Sequence, residues 1–229
     1  YGSQFIYSSL LDDVSFRFAV PDLSAEYRYT NTWGYLELAG IVRSIRWEDN
    51  NDDAYKIQGS AVGWGFSLST KLRLQSRVNF RGAITYGAGI QNYMNDADAD
   101  IGIKRQYSNT LTPVNGVAIP LLGLASYLDI VWSLKLSSAV GYSFMNNKTT
   151  EAQLSTAFKS GQYASVNLLY APIPNMILGP ELQWGKRQNN NFAGDPFFNL
   201  PAAKGNNGTD VKIQFSLRYS FNNTFYKTH

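Results

Sequence analysis

The sequence predicts an all-β fold, an antiparallel β-barrel that crosses a membrane with its strands. Apolar and polar residues alternate along most of the 229 residues, which is the period of a β-strand. Aromatic residues make up 14% of the chain and charged residues only 16%, against roughly 25% charged residues in an average soluble domain. No stretch approaches the roughly 18 consecutive apolar residues of a membrane-spanning helix. Because only helices and closed barrels satisfy all backbone groups in lipid, a membrane protein of this composition is a barrel.

The alternation divides the chain into eleven predicted strands. In order they are 1–8, 14–20, 23–30, 33–46, 55–73, 77–91, 116–132, 134–146, 159–171, 175–188 and 208–221. Several exceed ten residues, which matches the 9–11 residues that a tilted strand needs to cross a bilayer. The connections alternate between short turns (30–33, 74–76, 171–175) and longer polar loops (48–53, 92–115, 189–208). Outer-membrane barrels have this arrangement of periplasmic turns and extracellular loops.

Each predicted strand has an apolar face and a polar face. In 208–221, the residues Phe215, Leu217, Tyr219 and Phe221 alternate with Gln214, Ser216 and Arg218. In 14–20, the residues Val14, Phe16, Phe18 and Val20 are expected to face lipid, opposite Arg17. Aromatic residues near strand ends would form the membrane girdles: Trp33, Tyr35, Trp47, Tyr86, Tyr93, Trp132, Tyr142, Tyr170 and Trp184. Because the apolar face carries large side chains and the other carries Arg and Lys, we expect the polar face to line a lumen. A soluble β-sandwich or lipocalin-like barrel would have the opposite orientation.

The number and direction of the strands predict an incomplete barrel. If strand 208–221 descends to the periplasm, tracing the eleven strands backwards puts Tyr1 outside the cell. Bacterial single-chain barrels have an even number of strands, with both termini in the periplasm, so at least one strand is expected to be missing. Residues 1–20 also lack a signal peptide. The expected organisation is therefore a transmembrane barrel at 1–221 with N-terminal strands missing, followed by a C-terminal tail at 222–229.

Several short motifs, in this order and spacing, resemble the DcaP-like outer-membrane porins. They are PDLSAEYRY at 21–29, WGYLELAGIVR at 33–43, GWGFSLS at 63–69 with Leu72, TYGAGI at 85–90 with Tyr93, ASVNLLYAP at 164–172 and GPELQWGKR at 179–187. The resemblance implies a trimeric porin of the Gram-negative outer membrane, with a sixteen-stranded barrel in each subunit. It also implies uptake of small anions such as dicarboxylates. The chain departs from the family in continuing beyond Phe221 and in lacking several N-terminal strands.

The charges on the polar face predict a preference for anions. The expected lumen cations are Arg17, Arg28, Arg43, Lys71, Arg73, Arg77, Arg81, Lys135, Arg187, Lys212 and Arg218. The expected lumen carboxylates are Glu26, Glu37, Asp129 and Glu181, which leaves a surplus of seven positive charges. Glu26 and Glu37 are expected to balance Arg28 and Arg43. Rings of Arg and Lys favour the passage of anions, and Arg73, Arg77 and Arg81 are the strongest candidates for selectivity, although part of this set could instead brace the strands.

The sequence offers little for catalysis or cofactors. The chain has no Cys, and its one His is His229 at the end of the tail. Thiol and His-based mechanisms are therefore not expected, nor are a cofactor, a metal or a nucleic-acid partner. Asp96, Asp98 and Asp100 alternate in the loop 92–115. They are either a solvated acidic segment or a divalent-cation site, including one that bridges lipopolysaccharide.

Three functions from different classes remain open. The first is a porin for passive diffusion of small, preferentially anionic solutes, a homotrimer in contact with outer-membrane lipid and lipopolysaccharide. The second is a non-conducting structural or adhesive barrel. The third is a soluble carbohydrate-binding β-domain, suggested only by abundant Tyr and Trp. Heat-modifiable gel migration separates the first two from the third, and single-channel conductance separates the first from the second.

Overall fold

The computed structural model describes residues 11, 13–17, 20–94, 97, 99–196 and 199–221. The described strands are β1 (Val14–Arg17), β2 (Leu23–Asn31), β3 (Gly34–Asp49), β4 (Gly59–Gln75), β5 (Val78–Ala88), β6 (Ile101–Arg105), β7 (Val114–Ala118), β8 (Pro120–Val131), β9 (Leu136–Asn147), β10 (Phe158–Tyr170), β11 (Met176–Asn189) and β12 (Asn207–Tyr219). A short 3-10 helix spans Gln91–Tyr93. Among the described residues, no helix is long and apolar enough to span a membrane.

The strands form one antiparallel ten-stranded sheet and a separate two-stranded hairpin of β6 and β7. Sequential strands are neighbours from β2 to β5 and from β8 to β12, and β5 pairs directly with β8. The sheet is open in the described residues, with β1 and β2 at one edge and β12 at the other. The predicted all-β antiparallel fold is confirmed. The predicted strand 1–8 and the tail 222–229 lie outside the described residues.

The predicted strands 14–20 and 23–30 form one interrupted strand instead of two crossings. β1 pairs with Arg46–Asp49 and β2 pairs with Gly34–Val42, so both lie along the same edge of β3. Pro21 lies between them, and Pro has no N–H to donate to a strand ladder. The ten strands of the main sheet therefore make nine crossings.

The loop 92–115 contains structure that the alternation did not predict. β6 and β7 pair from Ile101↔Ala118 to Arg105↔Val114. The predicted strand 116–132 is divided at Ile119, which separates β7 from β8 and is fully buried. The predicted strand at 55–73 begins only at Gly59, because Asp53 and Asp49 accept hydrogen bonds from the backbone N–H groups of Tyr55 and Ile57 at 2.7 and 2.8 Å.

The two faces of the sheet differ as the alternation predicts. Large apolar side chains of β4 (Val62, Trp64, Phe66, Leu68) and β12 (Val211, Ile213, Phe215, Leu217) are exposed. The opposite face, called the inner face below, carries Lys71, Arg73 and Arg81, and loops fold onto it. Gly65 and Gly87 of this face are covered by Ile90, so that a Cβ at either position would lie within 3 Å of that side chain.

The hydrophobic core lies among the loops and not between sheet layers. Ile57, Ala99, Ile103, Val114 and Ala152 form a buried cluster at the end of the sheet where the long loops meet. Trp47 packs on Gly116 of β7, and its Nε1 donates to the carbonyl of Ile57 at 2.6 Å. The strands are therefore exposed on their apolar face and packed only where loops cover them, as expected for a barrel wall in a membrane.

Candidate functional site: the inner face of the sheet

Arg81 is the centre of a charged group near the turn that joins β4 and β5. Its guanidinium makes two hydrogen bonds of 2.7 Å to the carboxylate of Asp129, from Nε and from Nη2. It also lies 5.3 Å above the ring of Tyr127. Asp129 and Tyr127 are neighbours on β8, which pairs with β5. The pattern placed Arg81 and Asp129 on one face, and the register brings them together as a bidentate ion pair.

Lys71 lies directly opposite Arg81 across the β4–β5 ladder, and Arg73 lies opposite Asn79. Within the described residues neither Lys71 nor Arg73 has an ion pair, whereas Arg81 is neutralised by Asp129. Arg77 lies in the turn and donates from Nη1 to the carbonyl of Trp132 at 3.2 Å. Of the three arginines expected to control selectivity, Arg73 therefore keeps the most available charge.

Arg28 and Glu37 form a second ion pair, across β2 and β3, with Nε and Nη2 each 2.5 Å from Oε2. The guanidinium of Arg28 lies 4.4 Å from the centroid of the Tyr35 ring. The expectation that Glu37 balances Arg28 is met in the structure. Glu26 lies on the same inner face of β2, opposite Ala39, and has no ion pair within the described part of the chain.

Arg43 is buried and anchors the loop between β5 and β8. Its side chain is 5% exposed and makes ion pairs with Asp22, at 3.1 Å from Nε, and with Asp100, at 2.8 Å from Nη1. Nη1 also donates to the carbonyl of Gly89 at 3.3 Å. Two carboxylates from outside the strands, and not Glu26 or Glu37, balance this cation. Arg43 was expected to line the lumen and to be balanced by Glu26 or Glu37. That expectation is corrected, because Arg43 is buried and its partners are Asp22 and Asp100.

Tyr93 completes this anchor, which we call the Arg43 clamp: Asp22, Arg43, Tyr93 and Asp100. The Tyr93 hydroxyl donates to the carboxylate of Asp22, and the ring lies 5.2 Å from the Arg43 guanidinium carbon. The hydrogen bond to Asp22, followed by desolvation, raises the pKa of Tyr93 above its ordinary value. Asp100 also accepts the backbone N–H of Asn92 at 2.9 Å. Asp100 is therefore a structural ion-pair partner and not a solvated loop residue, while Asp96 and Asp98 lie outside the described residues.

Further hydrogen bonds hold the same loop against the strands. The Gln91 side-chain amide donates to the carbonyl of Ile119 and to Oδ1 of Asn147, both at 2.8 Å. Both Gln91 and Asn147 are fully buried. Met94 follows directly and packs over Gly123 of β8, where an added Cβ would lie 3.0 Å from the Met94 methyl group. The loop segment 91–94 therefore crosses the inner face at a fixed position.

The crossing segment separates two grooves on the inner face. One, of about 640 Å³, lies against β8–β11 and is lined by Met94, Met145, Tyr163 and Arg187 among others. The other, of about 450 Å³, lies against β2–β4 and is lined by Asp22, Glu26, Tyr93 and Met94 among others. A third cavity of about 170 Å³ is enclosed by the loop core around Trp47, Ile57 and Val114. Most of the lining of that third cavity is apolar, and it lies where the loops cover the part of the inner face that carries Arg43, Ile45 and Trp47.

The register places four more predicted lumen residues on the inner face. Glu181 lies opposite Gln214 and Lys212 opposite Gln183, and Arg187 and Arg218 share the face of these residues. Lys135 lies in the turn before β9 and donates to the carbonyl of Pro172 at 3.2 Å. With Asp22, Asp49, Asp100 and Asp210 added to the carboxylates, the ten expected cations other than Arg17 stand against eight carboxylates in the described residues, a surplus of two. The surplus is smaller than the seven expected from sequence.

Arg17 is not on the inner face. It lies opposite Arg46 in the β1–β3 ladder, and its Nε is 2.7 Å from Oε2 of Glu48. Trp47, between Arg46 and Glu48, shares the face of Arg43, so Arg17 points the other way, and Val14 and Phe16 point inward. The expected orientation of 14–20 was wrong because Val14 packs against the buried loop core and Phe16 lies opposite Trp47, so these apolar side chains face inward and not towards lipid.

Three of the expected girdle aromatics have other roles. Tyr35 lies under Arg28, Trp47 is buried in the loop core and Tyr93 belongs to the Arg43 clamp. Asp22 and Met94 were missed by the sequence analysis. Asp22 follows Pro21 at a break in the alternation, which was the available signal, whereas Met94 carries no pattern that distinguishes it.

The comparisons with known proteins give a fold but no sequence family. No protein-family model matches the chain, and no curated protein matches it. The crystal structure of the outer membrane channel DcaP of Acinetobacter baumannii aligns with a TM-score of 0.70 and 17% identity, over 91% of this chain and 54% of that chain. The NanC porin aligns over 91% of this chain and 97% of that chain, with 7% identity and a TM-score of 0.39, which is too low to support an argument. The resemblance to DcaP-like porins is thus confirmed in fold, and the chain spans about half the length of the DcaP channel.

Proposed function

We propose that this chain forms part of the wall of an outer-membrane porin that passes small solutes by diffusion and prefers anions. The observation that carries the proposal is a set of inner-face cations without ion-pair partners in the described residues: Lys71, Arg73, Arg187, Lys212 and Arg218. Three of the other inner-face cations, Arg28, Arg43 and Arg81, have carboxylate partners. The exposed apolar face on the other side of the same strands supports insertion in the outer membrane.

The placement of Lys71 supports a role in attracting anions over a role in bracing the sheet. Like charges directly opposite each other across two strands are destabilising, and Lys71 lies opposite Arg81. Since Arg81 already has Asp129 as partner, the sheet gains no ion pair from Lys71. A small dicarboxylate fits this arrangement, because each of its carboxylates can engage a separate cation.

The proposal is tested by the reversal potential of the reconstituted protein in a chloride gradient. The double variant Lys71→Gln with Arg73→Gln should shift the reversal potential towards cations. The anion selectivity of the unaltered channel should decrease as salt is raised from 0.1 M to 1 M, because the Debye length shrinks from about 10 Å to about 3 Å. The control is the double variant Arg46→Gln with Lys186→Gln. It also removes two positive charges, but from the outward-facing positions of β3 and β11. An equal shift in both double variants, or a channel that prefers cations, contradicts the proposal.

A second candidate is a non-conducting structural barrel. The observation that favours it is the segment 91–94, which crosses the inner face and is held there by the Arg43 clamp. Absence of single-channel conductance in a correctly inserted protein would select this alternative. Neither candidate involves catalysis, and the proposal assigns no enzymatic role to the chain.

The proposed assembly is a homotrimer in contact with outer-membrane lipid and lipopolysaccharide. Gly40 on the outward face of β3 is exposed, and a Cβ added there would meet only the Gly65 carbonyl oxygen, at 3.8 Å, which suits close approach of a neighbouring subunit. Gly82 on the outward face of β5 is instead covered by the ring of Phe80, 2.8 Å from an added Cβ. Gly40 is therefore the better candidate for a subunit contact.

A further inference from the structure

The larger inner-face groove differs chemically from the cations near the turns. It lies between the loop residue Met94 and the walls of β8–β11, with a volume of about 640 Å³. This volume falls in the range of about 300–1,000 Å³ that is typical of small-molecule sites. Small residues of the strands, including Ala83, Gly123 and Ala125, line its base and leave the space open.

Arg187 is held in position at this groove with most of its donors free. Its Nε donates to Oδ1 of Asn189 at 2.9 Å, and its guanidinium lies 5.2 Å from the centroid of the Phe158 ring. Phe158 is buried and rests against Gly161, so the ring is a fixed support. The two Nη groups remain available for a bidentate contact with a carboxylate, which is the geometry that Arg favours.

The remaining lining is mostly apolar, with several hydroxyl groups and the amide of Gln162. Met94 and Met145 approach from the loop and from β9, and Tyr163 lines the groove from β10. Methionine side chains are flexible and polarizable, so they adapt to apolar bodies of different shape. Ser143 and Tyr163, which are cross-strand partners, supply hydroxyl groups for a second oxygen atom of a ligand.

We propose that this groove is a binding site for amphipathic monocarboxylates, with the carboxylate on Arg187 and the apolar chain between Met94 and Met145. The proposal rests on the proposed channel function, since it names a class of solute that the channel retains. Arg187 is the one cation among the described residues that line the groove. A dicarboxylate bound there would leave its second charge without a partner in a largely apolar site, which is unfavourable.

The test compares three anions with the full-length purified protein: hexanoate, acetate and adipate. Binding is measured by saturation-transfer NMR, and block of chloride current is measured in planar bilayers. Hexanoate should bind about tenfold more tightly than acetate, because its additional CH₂ groups are partly buried in the groove. It should also bind more tightly than adipate. Met145→Gln should remove the advantage of hexanoate over acetate and leave acetate binding unchanged.

The variant Arg187→Gln should weaken hexanoate about tenfold, the effect of losing a charge-assisted hydrogen-bonded contact. The matched control is Lys186→Gln, which removes the neighbouring cation on the outward parity of β11, outside the groove lining, and should leave hexanoate binding unchanged. Equal weakening in both variants, or hexanoate binding no tighter than acetate, overturns the proposal. If the channel prefers cations while hexanoate still depends on Arg187, the proposed function fails and the binding site stands. If the channel prefers anions but hexanoate binding does not depend on Arg187, the proposed function stands and the binding site fails.

Discussion

The ring of Tyr127 covers the backbone of Gly141, its cross-strand partner on β9. A Cβ placed on Gly141 would lie 1.9 Å from Cδ1 of the ring. The same ring supports the guanidinium of Arg81, which holds Asp129. The absence of a side chain at Gly141 on β9 therefore determines where the ion pair between Arg81 on β5 and Asp129 on β8 can form.

The first prediction is that Gly141→Ala displaces Tyr127. Overpacking of this kind costs about 1–3 kcal/mol, so the variant should unfold at a lower temperature and give a smaller conductance as the ring moves into the open space. Heat-modifiable gel migration and single-channel recording measure the two effects. Gly185→Ala is the control, because nothing lies within 4 Å of a Cβ at Gly185. Unchanged behaviour of Gly141→Ala would contradict the described packing.

The second prediction concerns the sign of two changes at one ion pair. Arg81→Gln should shift the reversal potential towards cations, and Asp129→Asn should shift it towards anions. Both changes break the same pair, in which Arg81 and Asp129 are 49% and 31% exposed, so each should cost less than about 1 kcal/mol of stability. Shifts of the same sign would show that the variants act through distortion of the barrel and not through charge.

The third prediction is that Arg43 fixes the loop across the inner face. Arg43→Met leaves Asp22 and Asp100 without their buried partner, and breaking such a pair typically costs about 3–5 kcal/mol. Proteolytic cleavage in 89–119 should become faster, and the current should fluctuate more. Arg28→Met is the control, because Arg28 is half exposed, pairs only between strands and does not contact the loop. Equal cleavage of the two variants would show that the Arg43 clamp does not hold the loop in place.

The fourth prediction is a pH dependence of the same loop. The pKa of Tyr93 is raised because its hydroxyl donates to Asp22. The stabilisation is complete below the ordinary tyrosine pKa of about 10 and is lost as pH rises through the raised value. Cleavage in 89–119 should therefore accelerate at alkaline pH in the unaltered protein, and Tyr93→Phe should lack this step. An identical alkaline step in Tyr93→Phe would assign the titration to another group.

The fifth prediction concerns the orientation of β12. Leu217 pairs with Leu178 on the exposed apolar face, while Ser216 lies on the inner face opposite Gly179. An arginine exposed to lipid near the bilayer centre costs about 2–4 kcal/mol, so Leu217→Arg should prevent stable insertion while Ser216→Arg inserts. Membrane fractionation with heat-modifiable migration measures both. Similar insertion of the two variants would mean that β12 does not face lipid.

The sequence by itself determined the faces of the long strands. A strand has a side-chain period of two, so the apolar face of β12 and the inner positions of Lys71, Arg73 and Arg81 follow directly from alternation. Alternation gave a wrong orientation where apolar side chains of a strand pack against the loops. Val14 and Phe16 face the loop core instead of lipid, so the rule that large apolar residues point outward gave the wrong orientation for Arg17.

Tertiary structure decided which of these charges are available. Arg43 and Asp100 are separated by 57 residues, and Arg81 and Asp129 by 48. Periodicity places a residue on a face, but only strand register and loop packing give it a partner. The loop 89–119 has no alternation that reveals where it folds, so the clamp, the segment crossing the inner face and the groove at Arg187 come from contacts distant in sequence. The sequence thus determined the wall of the barrel, and packing determined the charged groups on its inner face.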